Sequence, residues 1–333
     1  MNILIIRFSS IGDILLTTPF VRQVKNKFPD AHLTYITKQE FAPLLKYNPY
    51  IDDLMLYDAS TKLKGLYQLR DELSEKKFKY IFDLHNSLRS SILVKNLSGT
   101  LSKIRKNKFK RAILVYLKWN LYREIKPVSV KYMDVGSGAG IRDDGKGLEL
   151  FLRGEKNDIF QENNLEKEQY ICVAPAAAHY TKIWPLEYVK ELLIRITQTS
   201  KLKVAILGSK SETILFKALP ETENIIHLAG KMSLLQSAQI IKYSKGIISN
   251  DSGLMHMASA LNKPIVAIFG STVKELGFFP FRAESTIIQN DNLWCRPCSH
   301  IGREKCPLSH FKCMREITVD TVYNTVKRKF INQ

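Results

Sequence analysis

The chain has 333 residues, of which 45% are hydrophobic and 25% charged, and its formal net charge at pH 7 is +18. This composition excludes a disordered or collagen-like chain, and the length allows two domains with separate cores. No apolar run approaches the roughly 18 residues that a membrane-spanning helix needs. Five cysteines, an odd number, argue against a disulfide framework, so we expect a cytoplasmic protein in a reducing compartment.

The first half of the chain alternates short apolar strands with helical segments. Asn2–Phe8 is predicted to be a strand, and Ser9–Asp13 a tight turn into an amphipathic helix that Pro19 should bend or restart. Further strands are predicted over residues 32–37, 54–57 and 80–84. This alternation predicts βαβ winding, in which ligands bind beyond the carboxyl ends of the strands.

The second half repeats the same alternation. Gly136–Gly147 carries five glycines in twelve residues and is predicted to be the loosest connecting region. Strands then follow at residues 170–174, 203–207 and 224–228. Gly246–Gly270 has the pattern of a strand, a turn, a helix and a strand in one βαβ unit. The chain therefore predicts two doubly wound halves that face each other across a cleft.

The turn inside this βαβ unit has the composition of an anion site. A helix that opens on Asp251-Ser252-Gly253 directs unpaired N–H groups and about half a positive charge at the crevice, which favours a diphosphate. Gly253 would allow a ligand to approach the backbone closely. Taken alone, the turn is better explained by ordinary capping residues of a structural helix, and it is the rest of the chain that favours an anion site.

Positive charge is concentrated in residues 101–131, which contain ten Lys or Arg and one acid. Six of the nine residues from Lys103 to Arg111 are basic, and Tyr116, Trp119 and Tyr122 follow. Such a segment fits phospholipid head groups, a phosphorylated glycolipid or nucleic acid. A solvated helix face is the alternative.

Four of the five cysteines lie near the C-terminus, whereas Cys172 is predicted to pack inside a strand. The four have the spacing C-x2-C-x7-C-x6-C and are Cys295, Cys298, Cys306 and Cys313. The CxxC start is compatible with a tetrahedral structural zinc ion, and free thiols in a compact loop are the alternative. A catalytic metal is not expected.

Three motifs in a fixed order carry a family resemblance. IIRFSSIGDILLTTP, TKIWP and NDSGLMHMASALNKPIVAIFG, together with the C-terminal CMREITVDTV, resemble glycosyltransferase family 9, the heptosyltransferases of lipopolysaccharide core assembly. The resemblance implies a GT-B fold, with residues 1–160 binding the acceptor, residues 161–315 binding a nucleotide-sugar, and a C-terminal helix at 316–333 crossing back to the first domain. It also implies an inverting, metal-independent transfer with ADP-L-glycero-D-manno-heptose as the usual donor.

The motifs also imply roles for individual residues. Asp13 matches the family's proposed general base, which accepts a proton from the acceptor hydroxyl. The alternative role is a cap on the first helix, and Asp13 could fill both roles together. Lys182 matches the lysine that neutralises the donor phosphates, with a surface lysine as the alternative. The predicted donor-side residues are Thr181, Lys182, Gly208, Glu212, Asp251, Ser252 and Gly253. The predicted acceptor-side residues are Ser9, Ser10, Gly12, His85, Asn86 and Arg89.

Several of these residues have two interpretations. Glu212 could accept the ribose hydroxyls of a nucleotide or act as a charge at a helix N-terminus. Asp251 could bind a sugar hydroxyl or order its turn. His256 is predicted to pack in its helix. His85-Asn86 departs from the commoner Gln-Gly of the family, so the acceptor is not fixed by the resemblance.

The leading hypothesis is transfer of a heptose, or a similar sugar, to a lipid-linked core oligosaccharide at the cytoplasmic face of the inner membrane. The basic segment would hold a monomeric enzyme against anionic lipid or a phosphorylated acceptor. One alternative is a GT-B nucleotide-sugar epimerase, which needs no acceptor. The other is a nucleic-acid-binding protein with a zinc knot, which leaves the three motifs unexplained, so we expect no nucleic-acid partner.

Overall fold

A computed structural model describes residues 1–153 and 159–332 and divides the chain into two compact α/β units. The first unit comprises Met1–Lys106 and Lys126–Arg153. The second comprises Asn107–Ile125 and the described residues from Ile159 onward. Each unit contains one sheet in which every strand pair is parallel, which confirms the prediction of two wound α/β domains.

The first unit is a five-stranded sheet with its connecting helices. Its strands are β1 (Asn2–Ile6), β2 (His32–Lys38), β3 (Asp53–Tyr57), β4 (Phe78–Asp83) and β5 (Thr100–Lys103). Its helices are α1 (Ile11–Leu15), α2 (Thr18–Lys27), α3 (Lys62–Ser74), α4 (Leu88–Leu93) and α6 (Val128–Val135); α5 (Lys108–Tyr116) belongs to the second unit. Pro19 lies in the first turn of α2, so the helix restarts there as predicted.

The strand order of this sheet is β3-β2-β1-β4-β5, so the winding reverses between β1 and β4. Ile6 at the end of β1 pairs with Asp83 at the end of β4. Ligands of open parallel sheets bind outside the carboxyl ends of such a strand pair. The loops that begin at Arg7 and at Leu84 therefore flank the candidate crevice of this unit.

The glycine-rich segment Gly136–Gly147 does not form the connection that the sequence suggested. It lies inside the first unit, where Arg22 of α2 donates hydrogen bonds to both carboxylate oxygens of Asp144 at 2.8 and 3.0 Å. The same guanidinium donates to the carbonyl of Gly147 at 3.3 Å. These bonds fasten the segment to α2, and the first unit ends at Arg153 rather than at residue 160.

The second unit is a six-stranded sheet with the order β11-β10-β9-β6-β7-β8. Its strands are β6 (Tyr170–Ala174), β7 (Lys203–Ile206), β8 (Ile225–His227), β9 (Ile247–Asn250), β10 (Ile265–Phe269) and β11 (Ser285–Gln289). Its helices are α5 (Lys108–Tyr116), α7 (Ile159–Glu162), α8 (Leu186–Thr199), α9 (Thr213–Phe216), α10 (Leu234–Tyr243), α11 (Gly253–Ala260), α12 (Lys312–Arg315) and α13 (Val319–Val326). The winding reverses between β6 and β9, so the loops after these two strands flank the second candidate crevice.

Residues Asn107–Ile125 belong to the second unit, although the sequence-based boundary placed them in the first. The reason is a set of long-range hydrogen bonds. Lys118 Nζ donates to the carbonyls of Cys295 at 3.0 Å and Pro297 at 2.6 Å, and Asn120 Nδ2 donates to Glu275 Oε1 at 3.3 Å.

The C-terminal helix α13 packs against α8 of the second unit. Trp184 Nε1 donates to the carbonyl of Ile317 at 2.9 Å, and Tyr323 OH donates to Thr199 Oγ1 at 2.8 Å. A π-helical turn at Lys327–Ile331 follows α13. The crossing of this C-terminal helix to the first domain, which the family resemblance implies, stays a prediction.

Each unit has an apolar core of its own. In the first, side chains of β1 pack with the buried face of α3: Leu4, Ile6, Leu66, Leu69 and Leu73. In the second, side chains of the central strands pack with α13: Val173, Ile248, Val266, Val322 and Val326. Within residues 1–153 and 159–332, none of the helices combines the length and apolar composition that crossing a bilayer requires.

Candidate active site

In the first unit, Arg7 and Asp13 form an ion pair at the end of β1. Arg7 Nη2 lies 2.8 Å from Asp13 Oδ1, and both side chains are largely buried. The same guanidinium donates to the carbonyl of Ser9 at 2.8 Å and of Leu84 at 2.7 Å. Arg7 therefore ties the catalytic candidate Asp13 to the adjacent end of β4. Burial acts to lower the pKa of Arg7, but Tyr132, Asp13 and Tyr35 together raise it by more.

The second oxygen of Asp13 is held more loosely. Oδ2 accepts hydrogen bonds from Ser10 Oγ at 3.1 Å and from Ser10 N at 3.4 Å, which forms a capping box at the start of α1. Asp13 thus has the capping contacts that the sequence offered as an alternative role. Both hydrogen bonds are longer than the 2.8 Å contact between Oδ1 and Arg7, so Oδ2 is the less firmly held of the two oxygens.

The buried carboxylate of Asp83 shapes the loop after β4. Its Oδ1 accepts the backbone N–H groups of His85 at 3.0 Å and Asn86 at 2.7 Å. Asn86 adopts a positive φ of 46° and donates through Nδ2 to the carbonyl of Ile104 at 2.7 Å. The side chain of Asn86 is therefore engaged in holding the loop.

His85 packs its ring edge-on against Phe8, with centroids 5.1 Å apart. Burial lowers the pKa of His85 to about 4, and the positive charges of Arg7 and Lys106 contribute. The imidazole is consequently neutral at pH 7. A neutral ring beside the Arg7–Asp13 pair can donate or accept a hydrogen bond without adding charge.

The other acceptor-side predictions fall around the same two strand ends. Ser9 and Ser10 are at least partly exposed in the loop after β1, whereas Gly12 is buried in the first turn of α1. Arg89 is exposed on α4, just beyond His85. Arg7 and Asp83 were not among the predicted site residues. The feature of the sequence that could have identified them is a charged residue directly at the end of an apolar strand.

In the second unit, Lys182 and Asp251 form an ion pair of 2.7 Å between Nζ and Oδ2, and both side chains are largely buried. Thr272 Oγ1 donates to the same oxygen at 2.8 Å. Asp251 therefore orders its turn, one of its two predicted roles. Lysine carries three N–H donors, so Lys182 can hold Asp251 and still donate to phosphate oxygens.

Hydrogen bonds connect the TKIWP and NDSG turns to each other and to the loops around them. Asn250 Nδ2 donates to the carbonyl of Pro175 at 2.6 Å, and its Oδ1 accepts from Trp184 N at 3.3 Å. The buried hydroxyl of Thr181 donates to Ser271 Oγ at 3.0 Å and accepts from Arg303 N at 2.8 Å. These contacts make Thr181 a residue that positions the lysine turn.

Helix α11 begins at Gly253 and follows the Asp251 turn directly. Ser252 is its N-cap residue, has extended backbone geometry, and makes no capping hydrogen bond with its side chain. Its hydroxyl lies 3.0 Å from Ser249 Oγ instead. The first-turn amides of α11 are thus left without a side-chain cap, beside Lys182 and Asp251.

Glu212 forms a capping box with Ser209, since its Oε2 accepts from Ser209 N at 2.6 Å. This is the helix-terminal role that the sequence left open, and ribose binding stays a prediction. Gly208 precedes this turn. A Cβ at Gly208 would lie 2.6 Å from Phe216 Cε2, so tight packing accounts for the glycine.

Arg296 stabilises the loop that carries Thr272, the partner of Asp251, and it was not predicted from the sequence. Its buried guanidinium donates to the carbonyls of Gly270 at 2.6 Å and Thr272 at 2.8 Å, and to Gln289 Oε1 at 2.9 Å. It also donates to the carbonyl of Asn290. These bonds fix the loop that carries Thr272 to the ends of β10 and β11.

The four C-terminal cysteines have free thiols. Cys313 is buried, and burial raises its pKa to about 12, whereas the other three are half-buried. In the part of the chain that the structure describes, no three His, Cys, Asp or Glu side chains form a group that could hold a metal ion. The zinc site stays a prediction. His256 is buried within α11, in keeping with its predicted packing role.

Two parallel α/β units, each with polar clusters at its topological switch point, define a protein of the GT-B fold class. The sequence profile of glycosyltransferase family 9 (heptosyltransferase) matches residues 66–308. The chain therefore belongs to this family and is a glycosyltransferase.

Relatives and solved structures agree with this assignment. The chain is 28% identical over 304 residues to lipooligosaccharide heptosyltransferase 2 of Haemophilus influenzae, covering 82% of this chain and 84% of the relative. The structure of Escherichia coli ADP-heptose LPS heptosyltransferase II superposes with a TM-score of 0.73 at 22% identity, over 99% and 98% of the two chains. An E. coli heptosyltransferase with ADP-2-deoxy-2-fluoro heptose matches with a TM-score of 0.68 at 19% identity, over 98% and 99%. At these identities, the structural matches establish the fold.

Proposed function

We propose that this protein transfers a heptose from ADP-heptose to the core oligosaccharide of a lipopolysaccharide precursor. The observation that carries the proposal is the Lys182–Asp251 pair at the uncapped start of α11, at the switch point of the second sheet. The names of the relatives supply the sugar and the acceptor class, since they are heptosyltransferases of lipopolysaccharide or lipooligosaccharide. The ADP-2-deoxy-2-fluoro heptose in a related structure supports an ADP-sugar donor.

In the proposed reaction, an acceptor hydroxyl oxygen attacks the anomeric carbon as the bond from that carbon to the diphosphate oxygen breaks. The hydroxyl proton passes to Asp13 Oδ2, the more loosely held oxygen of the Arg7–Asp13 pair. Attack opposite the leaving group inverts the anomeric centre. Arg7 keeps the carboxylate in place, and positioned acid-base groups typically contribute about 10²- to 10⁴-fold.

The leaving diphosphate takes the electron pair of the broken bond and needs positive charge. Lys182 and the first amides of α11 are proposed to supply it, so that no metal ion is required. Asp251 holds Lys182 in place through the 2.7 Å contact. The four C-terminal cysteines are assigned at most a structural zinc role, and no step passes through them.

Because the proposed acceptor is lipid-linked, the enzyme is proposed to work at the cytoplasmic face of the inner membrane. It is also proposed to be a monomer. The ten basic residues of segment 101–131 support an electrostatic attraction to anionic lipid or to a phosphorylated acceptor. Nucleic acid is not proposed as a partner, because it would leave the Asp13 and Lys182 clusters without a role.

The direct test is to incubate the purified protein with ADP-heptose and with detergent-solubilised core precursors that end either in a 3-deoxy-octulosonic acid or in a heptose. The expected result is ADP release together with one added heptose on one of these acceptors. A new sugar nucleotide formed from donor alone would instead support an epimerase. Absence of both products with a protein that binds ADP would contradict the proposal.

A further inference from the structure

Segment 107–125 exposes large apolar side chains in the most basic part of the chain. Phe109, Tyr116 and Trp119 are 75%, 72% and 67% exposed. Three aliphatic residues of the same segment are also exposed: Leu117, Leu121 and Ile125. Single exposed apolar residues are ordinary, but six in nineteen positions need a partner or a reason.

Helix α5 shows how this exposure is organised. Leu114 and Val115 are buried, whereas Phe109 and Tyr116 are seven residues apart and share one face on which both are exposed. Lys108 and Lys110 are exposed on either side of Phe109 in the sequence. The helix therefore has a second apolar stripe, flanked by positive charge, that does not contribute to the core.

The loop that contains the cysteines adds a second exposed tryptophan to this surface. Trp294 is 73% exposed and directly precedes Cys295, whose carbonyl accepts a hydrogen bond from Lys118 Nζ. Trp119 directly follows Lys118. The two tryptophans therefore flank one long-range hydrogen bond, and Lys118 fixes the two segments to each other. We call Phe109, Tyr116, Trp119 and Trp294 the aromatic surface.

The chemistry of this surface selects an anionic bilayer as its occupant. Lysine and arginine are attracted to anionic head groups, and tryptophan and tyrosine partition to the boundary between head groups and acyl chains. Single-stranded nucleic acid would also use aromatic residues and positive charge. It gives no purpose to the exposed aliphatic residues Leu117, Leu121 and Ile125, which favours the bilayer.

We infer that the aromatic surface inserts into the head-group region of an anionic phospholipid bilayer and anchors the second unit to the membrane. The inference deepens the membrane association of the proposed function and rests on it for the biological setting. It differs from purely electrostatic attraction, because the inserted rings leave water. High salt therefore lowers the bound fraction, but the protein that remains bound still has its tryptophans in the bilayer.

The three tryptophans of the chain give a direct readout. Trp119 and Trp294 lie in the proposed anchor, whereas Trp184 is only 1% exposed and serves as an internal reference. The full-length protein is mixed with vesicles of phosphatidylcholine, with or without phosphatidylglycerol, that carry brominated acyl chains. We expect the tryptophan fluorescence to be quenched and shifted to the blue only when the vesicles contain phosphatidylglycerol. The quenching should be lost when Trp119→Phe and Trp294→Phe are combined.

Variants distinguish the contribution of ring insertion to vesicle binding from that of positive charge, and both from a loss of folding. Phe109→Ala with Trp119→Ala should lower vesicle partitioning by about tenfold or more, and Lys108→Gln with Lys110→Gln should lower it in a salt-dependent manner. Leu63→Ala, at an exposed apolar residue of α3 in the first unit, is the matched control and should bind as wild type. Unchanged melting temperatures establish that the variants fold.

Vesicle binding without quenching of Trp119 or Trp294 would overturn the inference, as would equal binding to vesicles that lack phosphatidylglycerol. A change in the fluorescence of both tryptophans on addition of single-stranded RNA, with no change on addition of vesicles, would overturn the inference and indicate a nucleic-acid-binding surface. The assay uses neither donor nor acceptor. If the tryptophan fluorescence is not quenched but sugar transfer in detergent is intact, only the membrane anchor is contradicted. If the fluorescence is quenched but no sugar is transferred, only the proposed enzymatic function is contradicted.

Discussion

Lys182 Nζ lies 2.7 Å from Asp251 Oδ2, so the cation proposed to receive the diphosphate is held by a carboxylate of its own unit. The pairing keeps a largely buried lysine in one position instead of leaving it mobile. The aspartate oxygen that faces the lysine also accepts a hydrogen bond from Thr272, so two contacts hold this carboxylate beside Lys182.

Lys182→Ala is expected to lower kcat/KM for the ADP-sugar by about 10²- to 10³-fold, because it removes charge stabilisation of the leaving group. Lys182→Arg should recover part of the loss. Steady-state kinetics and ADP titration measure both effects. Lys231→Ala is the control, since Lys231 is an exposed lysine of the same unit in a long, exposed pair with Glu221. Wild-type turnover in Lys182→Ala would remove this lysine from the mechanism.

Asp13→Ala is expected to abolish transfer while ADP binding stays nearly unchanged, because Asp13 belongs to the first unit and the donor residues to the second. The comparison of single-turnover kinetics with calorimetric ADP binding measures the two properties separately. Retained turnover would show that another group accepts the proton.

Arg7→Lys tests the positioning of Asp13. A lysine keeps the charge but cannot bond Asp13, Ser9 and Leu84 together, as the guanidinium does. We expect kcat to fall about tenfold or more with little change in the donor KM. Arg70→Lys, in an exposed pair with Asp71 of the same unit, should behave as wild type. Equal kinetics in both variants would mean that Arg7 has only a structural role.

His85 predicts a pH dependence of stability. Its pKa is lowered to about 4 in the folded protein, whereas a free histidine titrates near 6.5. Below about pH 6.5 the unfolded chain binds a proton that the folded chain does not, so stability is full above that pH and falls as the pH drops towards 4. The contribution is at most about 3 kcal/mol.

Urea unfolding at pH 7.5 and pH 5 measures this effect. His85→Gln should reduce the difference between the two pH values, because glutamine does not titrate. His32→Gln, at an exposed position at the start of β2, should leave the difference unchanged. A pH dependence that is the same in wild type and His85→Gln would assign it to other groups.

Removal of divalent metals by prolonged dialysis against EDTA is expected to leave kcat unchanged, because Lys182 and the α11 amides are proposed to supply the positive charge. Turnover that is lost and then restored by Mg²⁺ or Mn²⁺ would contradict this. Elemental analysis of the protein as purified tests zinc separately. A zinc content that Cys298→Ser does not alter would rule out the cysteine site.

The turns that carry Lys182 and Asp251 could be placed from the sequence because their determinants are local. Strand ends, a capping turn and helical spacing around Asp251 can each be recognised within a few residues, and parallel topology then brings Lys182 to the same edge of the sheet. Two predictions that had alternatives were also informative: Asp13 and Glu212 both make the capping contacts that were offered beside their functional roles.

The residues that were missed depend on partners far along the chain. Arg7 reaches the carbonyl of Leu84, and Lys118 reaches that of Pro297, 179 positions away. A backbone carbonyl has the same chemistry at every residue, so no pattern in the sequence marks it as a partner. For this reason the unit to which segment 107–125 belongs could not be read from composition or periodicity.

Because segment 107–125 lies in the second unit while both of its flanks lie in the first, the chain passes between the units three times. Dissection by truncation is therefore hindered. A fragment that ends at Arg153 would contain α5 but would lack the loop whose carbonyls accept hydrogen bonds from Lys118. A single proteolytic cut at any one of the three crossings would leave the two units covalently joined.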